Sequence, residues 1–130
     1  MWATLPWDDH MTKIDPAHYK SPNPARYFDR VSGLSSLLAG VREPAIGDSR
    51  RSGDTILQTV TGSVPAAEIR RVLGVGSTSG SYGLTFGIDD ANRLITLRIA
   101  GPMFDDTTCR YDVTFSKYGQ RVSIQPPQMG

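Results

Sequence analysis

The sequence carries a single cysteine, Cys109. One thiol excludes an internal disulfide and a cysteine-built zinc cluster. Histidine is scarce too. His10 and His18 stand in a proline-broken stretch, without the i, i+4 spacing of a helical metal pair. No apolar run approaches the roughly 20 residues of a membrane span. The N-terminus shows no basic segment followed by an apolar one, so no secretory signal is visible. Net charge is nearly absent: 14 Lys and Arg stand against 13 Asp and Glu, leaving +1. Phosphate-backbone binding needs a basic stripe, which excludes nucleic acid as the expected partner. The pair Arg70-Arg71 is the nearest approach to one, and it reads as a solvated helix face.

At 130 residues, 38% of them hydrophobic, the chain suffices for one core and one domain. Residues 1–24 read as an irregular arm, because Pro6, Pro16, Pro22 and Pro24 exclude a long helix. Within it, Met1–Leu5 is a candidate strand end. Asn23-Pro24 predicts a short helical turn. Residues 25–125 hold the helices and sheet, and 126–130 form a tail. Leu34, Leu37, Leu38 and Val41 fall at i, i+3, i+4 and i+7, one face of a helix of about three turns. Ser32 is its expected cap, and Pro44 its stop. Residues 46–53 read as an exposed, turn-rich connection. Thr55–Val64 is rich in β-branched residues and predicts a strand. A second helix follows, with Ser63 as candidate cap, Ile69, Val72 and Leu73 as its apolar stripe, and Gly74 and Gly76 ending it.

From Ser79 the period becomes two. Leu84, Phe86 and Ile88 share a face, as do Ile95, Leu97 and Ile99, and then Tyr111, Val113 and Phe115. Asp89-Asp90-Ala91-Asn92 marks a turn. Gly101-Pro102 and Asp105-Asp106 mark a loop, and Tyr118-Gly119-Gln120 a tight connection. Val122 and Ile124 predict a last short strand. The expected layout is helix, strand, helix and four strands. That is an α+β fold: an antiparallel sheet whose apolar face is covered by helices.

Polar motifs offer little chemistry. The glycine-rich stretch Gly74–Gly80 lacks the Lys-Ser/Thr and the following helix of a phosphate loop. Asp8-Asp9, Asp89-Asp90 and Asp105-Asp106 fit turns better than facing acid–base pairs. No Gly-x-Ser-x-Gly elbow supports a small hydrolase. Cys109 opens a strand and suits a half-buried position. The chain therefore presents no catalytic residue, no metal site and no cofactor site. The prominent features are apolar. A lipid cavity and a packed core use the same residues, so periodicity does not separate them.

Three segments carry a family resemblance. Tyr27-Phe-Asp-Arg-Val-Ser-Gly33-Leu-Ser-Ser-Leu-Leu38 is similar to an aromatic–Asp–linker–Gly-Leu-x-x-Leu-Leu segment of the LppX/LprG-type mycobacterial lipoproteins. Gly53–Ile69, with its Thr61-Gly-Ser-Val-Pro-Ala run, resembles their strand-to-helix entry. Asp112–Ile124, with Ser116-Lys-Tyr-Gly-Gln, resembles their closing hairpin. Met11–Ala17 sits where the family has a Trp-led segment. The match spans residues 11–125 and corresponds to the C-terminal half of such proteins. The resemblance implies a half-barrel: a curved antiparallel sheet with helices on its concave apolar face and an acyl-chain cavity between them. It implies non-catalytic binding and transport of acyl lipids or glycolipids in the cell envelope. The alternative is an interaction module docking an envelope transporter or sensor. Members begin with a signal peptide and a lipidated cysteine, a role that mid-domain Cys109 does not match. A half-sheet predicts an open edge, an exposed apolar surface, and self-association to cover them. The lipid-cavity candidates are Leu34, Leu37, Leu38, Val41, Ile69, Leu84, Phe86, Ile95, Leu97, Ile99, Tyr111, Val113 and Phe115.

Overall fold

The computed structural model describes residues 2–4, 10–15, 18, 24–29, 31–104, 107–123 and 125. A small antiparallel pair, β1 (Trp2–Thr4) and β2 (Met11–Lys13), opens the chain. A 3-10 turn, Pro24–Phe28, and helix α1, Leu34–Ala39, come next. Strands β3 (Arg42–Ser52) and β4 (Thr55–Pro65) form a hairpin that runs into helix α2, Ala66–Leu73. Strands β5 (Ser81–Ile88), β6 (Leu94–Phe104) and β7 (Thr107–Thr114) complete the sheet. Its order is β3-β4-β5-β6-β7, with every pairing antiparallel. The sheet is curved and open, with helices on one face, as the alternation of apolar residues predicts.

The two helices are held by different devices from those expected. Ser32 does not cap α1, which starts from Gly33 without a side-chain cap. Its hydroxyl instead donates to Asp29 Oδ1 at 2.9 Å, beside the Ser32 and Val31 amides at 2.7 and 2.9 Å. Those bonds, the Ser32 amide first, hold the Asp29 carboxyl below the usual carboxylate range. The helix is also shorter than the i, i+7 pattern implies, so Val41 lies beyond its end. Ser63 lies inside β4 opposite Gly83 and caps nothing. The first amide of α2, at Ala66, donates to the Gly80 carbonyl at 3.0 Å. Gly74 ends α2 in the left-handed region at φ 76, where a side chain would be strained, and its amide bonds the Arg70 carbonyl at 2.8 Å. Arg71 pairs with Glu68 at 2.8 Å and donates to Ser36 Oγ at 2.9 Å, tying α2 to α1.

Three further expectations fail. Residues 46–53 are not a connection: most belong to β3, an edge strand with no buried residue. Backbone pairing with β4 builds it without an apolar pattern; the register irregularity between Arg42 and Ala45 accommodates Pro44 and Glu43 at φ 50, and a second lies between Ile46 and Ser49. Gly101-Pro102 does not break β6, which continues to Phe104 with Gly101 opposite Cys109 and Pro102 opposite Thr108. The proline is admitted at a rung next to an irregularity, where a ladder amide is dispensable. The last strand is absent among the described residues: 121–123 are irregular and exposed, and Ile124 lies outside them. The Asp105-Asp106 loop and Asp8-Asp9 also lie outside the described residues.

Candidate functional site on the concave face

Register decides which side chains share the concave face. One rung crosses all five strands: Ile46, Val60, Phe86, Leu97 and Val113 are successive partners. The next runs Gly62, Leu84, Ile99 and Tyr111. Tyr82 lies opposite Val64 in the rung beyond. On these rungs lie the helices. Leu34 and Leu37 of α1 and Ala66, Ile69, Val72 and Leu73 of α2 pack with Val64, Tyr82, Leu84, Phe86, Leu97, Ile99 and Met103 into one buried cluster. Transfer of such side chains from water supplies about 1.5–3 kcal/mol each before entropy is charged.

A family model described as LppX_LprAFG lipoprotein matches residues 1–124. The chain belongs to the LppX_LprAFG lipoprotein family. Among solved structures, that of LprF from Mycobacterium bovis is similar, with a TM-score of 0.72 and 25% identity. The similarity covers 97% of this chain and 60% of that one, so the chain spans less than two thirds of that structure's length. No curated protein matches.

The family member's concave face is covered in the middle and bare at its margins. Seven cavity candidates, Leu34, Leu37, Ile69, Leu84, Phe86, Leu97 and Ile99, are exposed by 2% or less and sit in the closed cluster. Val41, Tyr111, Val113 and Phe115 are half-buried against it. Leu38 is 43% exposed: Leu34 and Leu37 occupy the inward side of the short helix. Ile95 falls at a register irregularity, where Gly87 pairs with Thr96 and Ile88 with Leu94. The extra residue hands the inward place to Leu94, which packs with Ile88 against the core. Ile95 instead uses its carbonyl to accept the Phe115 amide at 2.8 Å.

Past the helices the apolar rung continues. Ile46 shares the face of Val60 and is 80% exposed. Ile56, two residues before Gln58 on the same face of β4, is 59% exposed. The period-two pattern puts Ile88 on the face of Leu84 and Phe86 without making it a cavity candidate, and it does not single out Ile46, which reads as part of a connection, nor Ile56, Val60 or Leu94. The signal for Ile56 and Val60 was the even spacing within Thr55–Val64. At the opposite margin, the 3-10 turn lays aromatics over β7. Tyr27 and Tyr111 meet edge to face at 6.3 Å and share a hydroxyl bond of 3.0 Å. Burial, then the Tyr111 hydroxyl, pushes the Tyr27 phenol well above its ordinary pKa. Phe28 meets Phe115 edge to face at 6.4 Å yet remains 75% exposed, next to exposed Val31. Such a face can bind apolar ligands. Among the described residues no three His, Cys, Asp or Glu side chains come together as a metal site.

Proposed function

We propose that this chain forms part of an envelope lipid carrier, whose concave face takes acyl chains and performs no catalysis. The observation that carries this reading is the rung Ile46–Val60–Phe86–Leu97–Val113. It is apolar across every strand, closed over in its centre and bare at Ile46. An apolar stripe that runs from solvent into a core gives an acyl chain a continuous apolar path. Each methylene buried along it contributes about 0.8 kcal/mol, and no catalytic group is required. Membership of a lipoprotein family supports an envelope setting. The cavity candidates act here as the wall that an entering chain would part, with α1 and α2 as the cover.

Native mass spectrometry of detergent-free protein, followed by organic extraction, tests the reading. The expected result is an adduct of acyl-lipid or glycolipid mass. A bare 14.2 kDa chain that takes up no added diacyl lipid would refute it.

A second reading rests on a separate observation. Strand β3 pairs on one side only and exposes all 11 of its residues. An open edge admits a strand from an envelope transporter, a sensor or a second copy of the chain. Lipid-free protein that forms a stable complex through residues 42–52 would favour it.

A further inference from the structure

The convex face of the same sheet carries a pocket lined largely by polar residues and unrelated to the acyl-chain reading. Thr85, Arg98 and Asp112 are successive partners in one rung, and Thr96 pairs with Thr114 in another. With Arg50 they line a hollow of about 150 Å³. Arg50 enters from the edge strand, where it is the partner of Leu57. Its guanidinium reaches β6 and donates from Nη2 to Thr96 Oγ1 at 3.1 Å. The route passes the bare backbone of Gly87, where any Cβ would collide with the Thr96 hydroxyl and crowd Leu57 at 3.0 Å.

The charges do not balance. Asp112 accepts from Arg98 Nε at 2.7 Å and from Arg110 Nε at 2.8 Å. One carboxylate thus serves two guanidiniums. The Arg98 bond foremost holds the Asp112 carboxyl below the usual range, so it is charged at neutral pH. Arg50 has no carboxylate partner among the described residues. Two guanidiniums, Arg50 and Arg98, line the hollow against one carboxylate that Arg110 also engages from outside the lining, so positive charge is in excess beside three threonine hydroxyls. Fixed guanidinium forks and hydroxyl donors around a small hollow match a tetrahedral oxyanion.

We propose that this hollow binds a phosphoryl group, held by Arg50 and Arg98 with the hydroxyls of Thr85, Thr96 and Thr114. It lies on the opposite face of the sheet from Ile46 and Phe86, so the phosphoryl group is not the head of a lipid whose tail fills the concave face. It comes either from the surface of an anionic membrane or from a small soluble phosphorylated compound.

The full chain is titrated with inorganic phosphate by NMR, and co-sedimented with phosphatidylglycerol or phosphatidylcholine vesicles. Saturable phosphate binding is expected, with shifts at Thr96, Arg98 and Thr114. Arg50→Gln, at an exposed side chain, weakens it by about tenfold. Asp112→Asn tightens it by about two- to fivefold, because it removes the competing carboxylate. A purely structural Asp112 would give the opposite sign. Phosphatidylglycerol binding that Arg50→Gln abolishes identifies the membrane as source. Phosphate binding with vesicle binding absent, or indifferent to Arg50→Gln, identifies a soluble source. No saturable phosphate binding, or binding unchanged in both variants, overturns the proposal.

Discussion

The ring of Tyr82 occupies the space that a side chain at Gly101, its neighbour on β6, would fill. The hydroxyl of Tyr82 donates to the Pro102 carbonyl and accepts the Ser77 amide at 2.9 Å. The tyrosine thereby ties the loop after α2 to the end of β6. Gly101→Ala drives a methyl into the ring, and the expected cost is about 1–3 kcal/mol. Tyr82→Phe keeps the packing and loses the hydroxyl bonds, for about 1 kcal/mol. Chemical denaturation of both variants checks the order: the glycine substitution must be the worse of the two.

Ile69 and Leu38 test where the core ends. Ile69 is fully buried beneath α2, whereas Leu38 stands partly in solvent on α1. Ile69→Ala removes packed methyls and leaves a cavity, for about 2–5 kcal/mol. Leu38→Ala costs about 0.5 kcal/mol or less. Equal losses in urea melts would mean that Leu38 shares the core after all.

The meander and α2 were legible in the sequence because each buries one face at a steady period. Leu84, Phe86 and Ile88, then Leu97 and Ile99, then Tyr111 and Val113 repeat every second residue on their strands, and Ile69, Val72 and Leu73 repeat at helical spacing. Strand β3 was not legible, since an edge strand with both faces in solvent leaves no hydrophobic signal. The exchange of Ile95 for Leu94 was hidden for another reason. It depends on one unpaired residue in a ladder, which composition does not encode. The candidate site was therefore half visible. Its buried wall could be listed residue by residue, while its bare margin at Ile46 required the register of β3 on β4.

Asp89 gives the fold a dependence on acid. Its carboxylate is buried and accepts the Arg93 amide at 2.8 Å, the Ala91 amide at 3.0 Å and the Arg93 side chain at 2.8 Å. Those bonds, the Arg93 amide first, lower its pKa from 3.8. A group with a depressed folded pKa stabilises the native state above its unfolded pKa, and that contribution is lost as pH falls through the folded one. Arg93 also lies over the Tyr118 ring at 5.5 Å, so the turn holds the segment around Tyr118 that follows β7. Asp89→Asn is expected to melt lower at pH 7 and to lose less than the parent below pH 4. Parallel losses for parent and variant across pH 3–7 would show that Asp89 is not the titrating group.

Ile46 and Ile56 separate ligand capture from folding. Both stand in solvent on the concave side, so a charge at either costs the fold about 0.5 kcal/mol or less. The same charge would sit at the proposed acyl-chain entry, and a carboxylate in contact with a chain must be desolvated. Ile46→Asp and Ile56→Asp are expected to leave the melting temperature unchanged while sharply lowering acyl-lipid occupancy in native mass spectra. Phe86→Ala serves as the contrast: it empties the middle of the same rung and costs about 3–5 kcal/mol. Undiminished lipid uptake by both Asp variants would place the entry elsewhere, with the Phe28–Phe115 margin next in line, and Phe28→Asp would then be the variant to lose uptake.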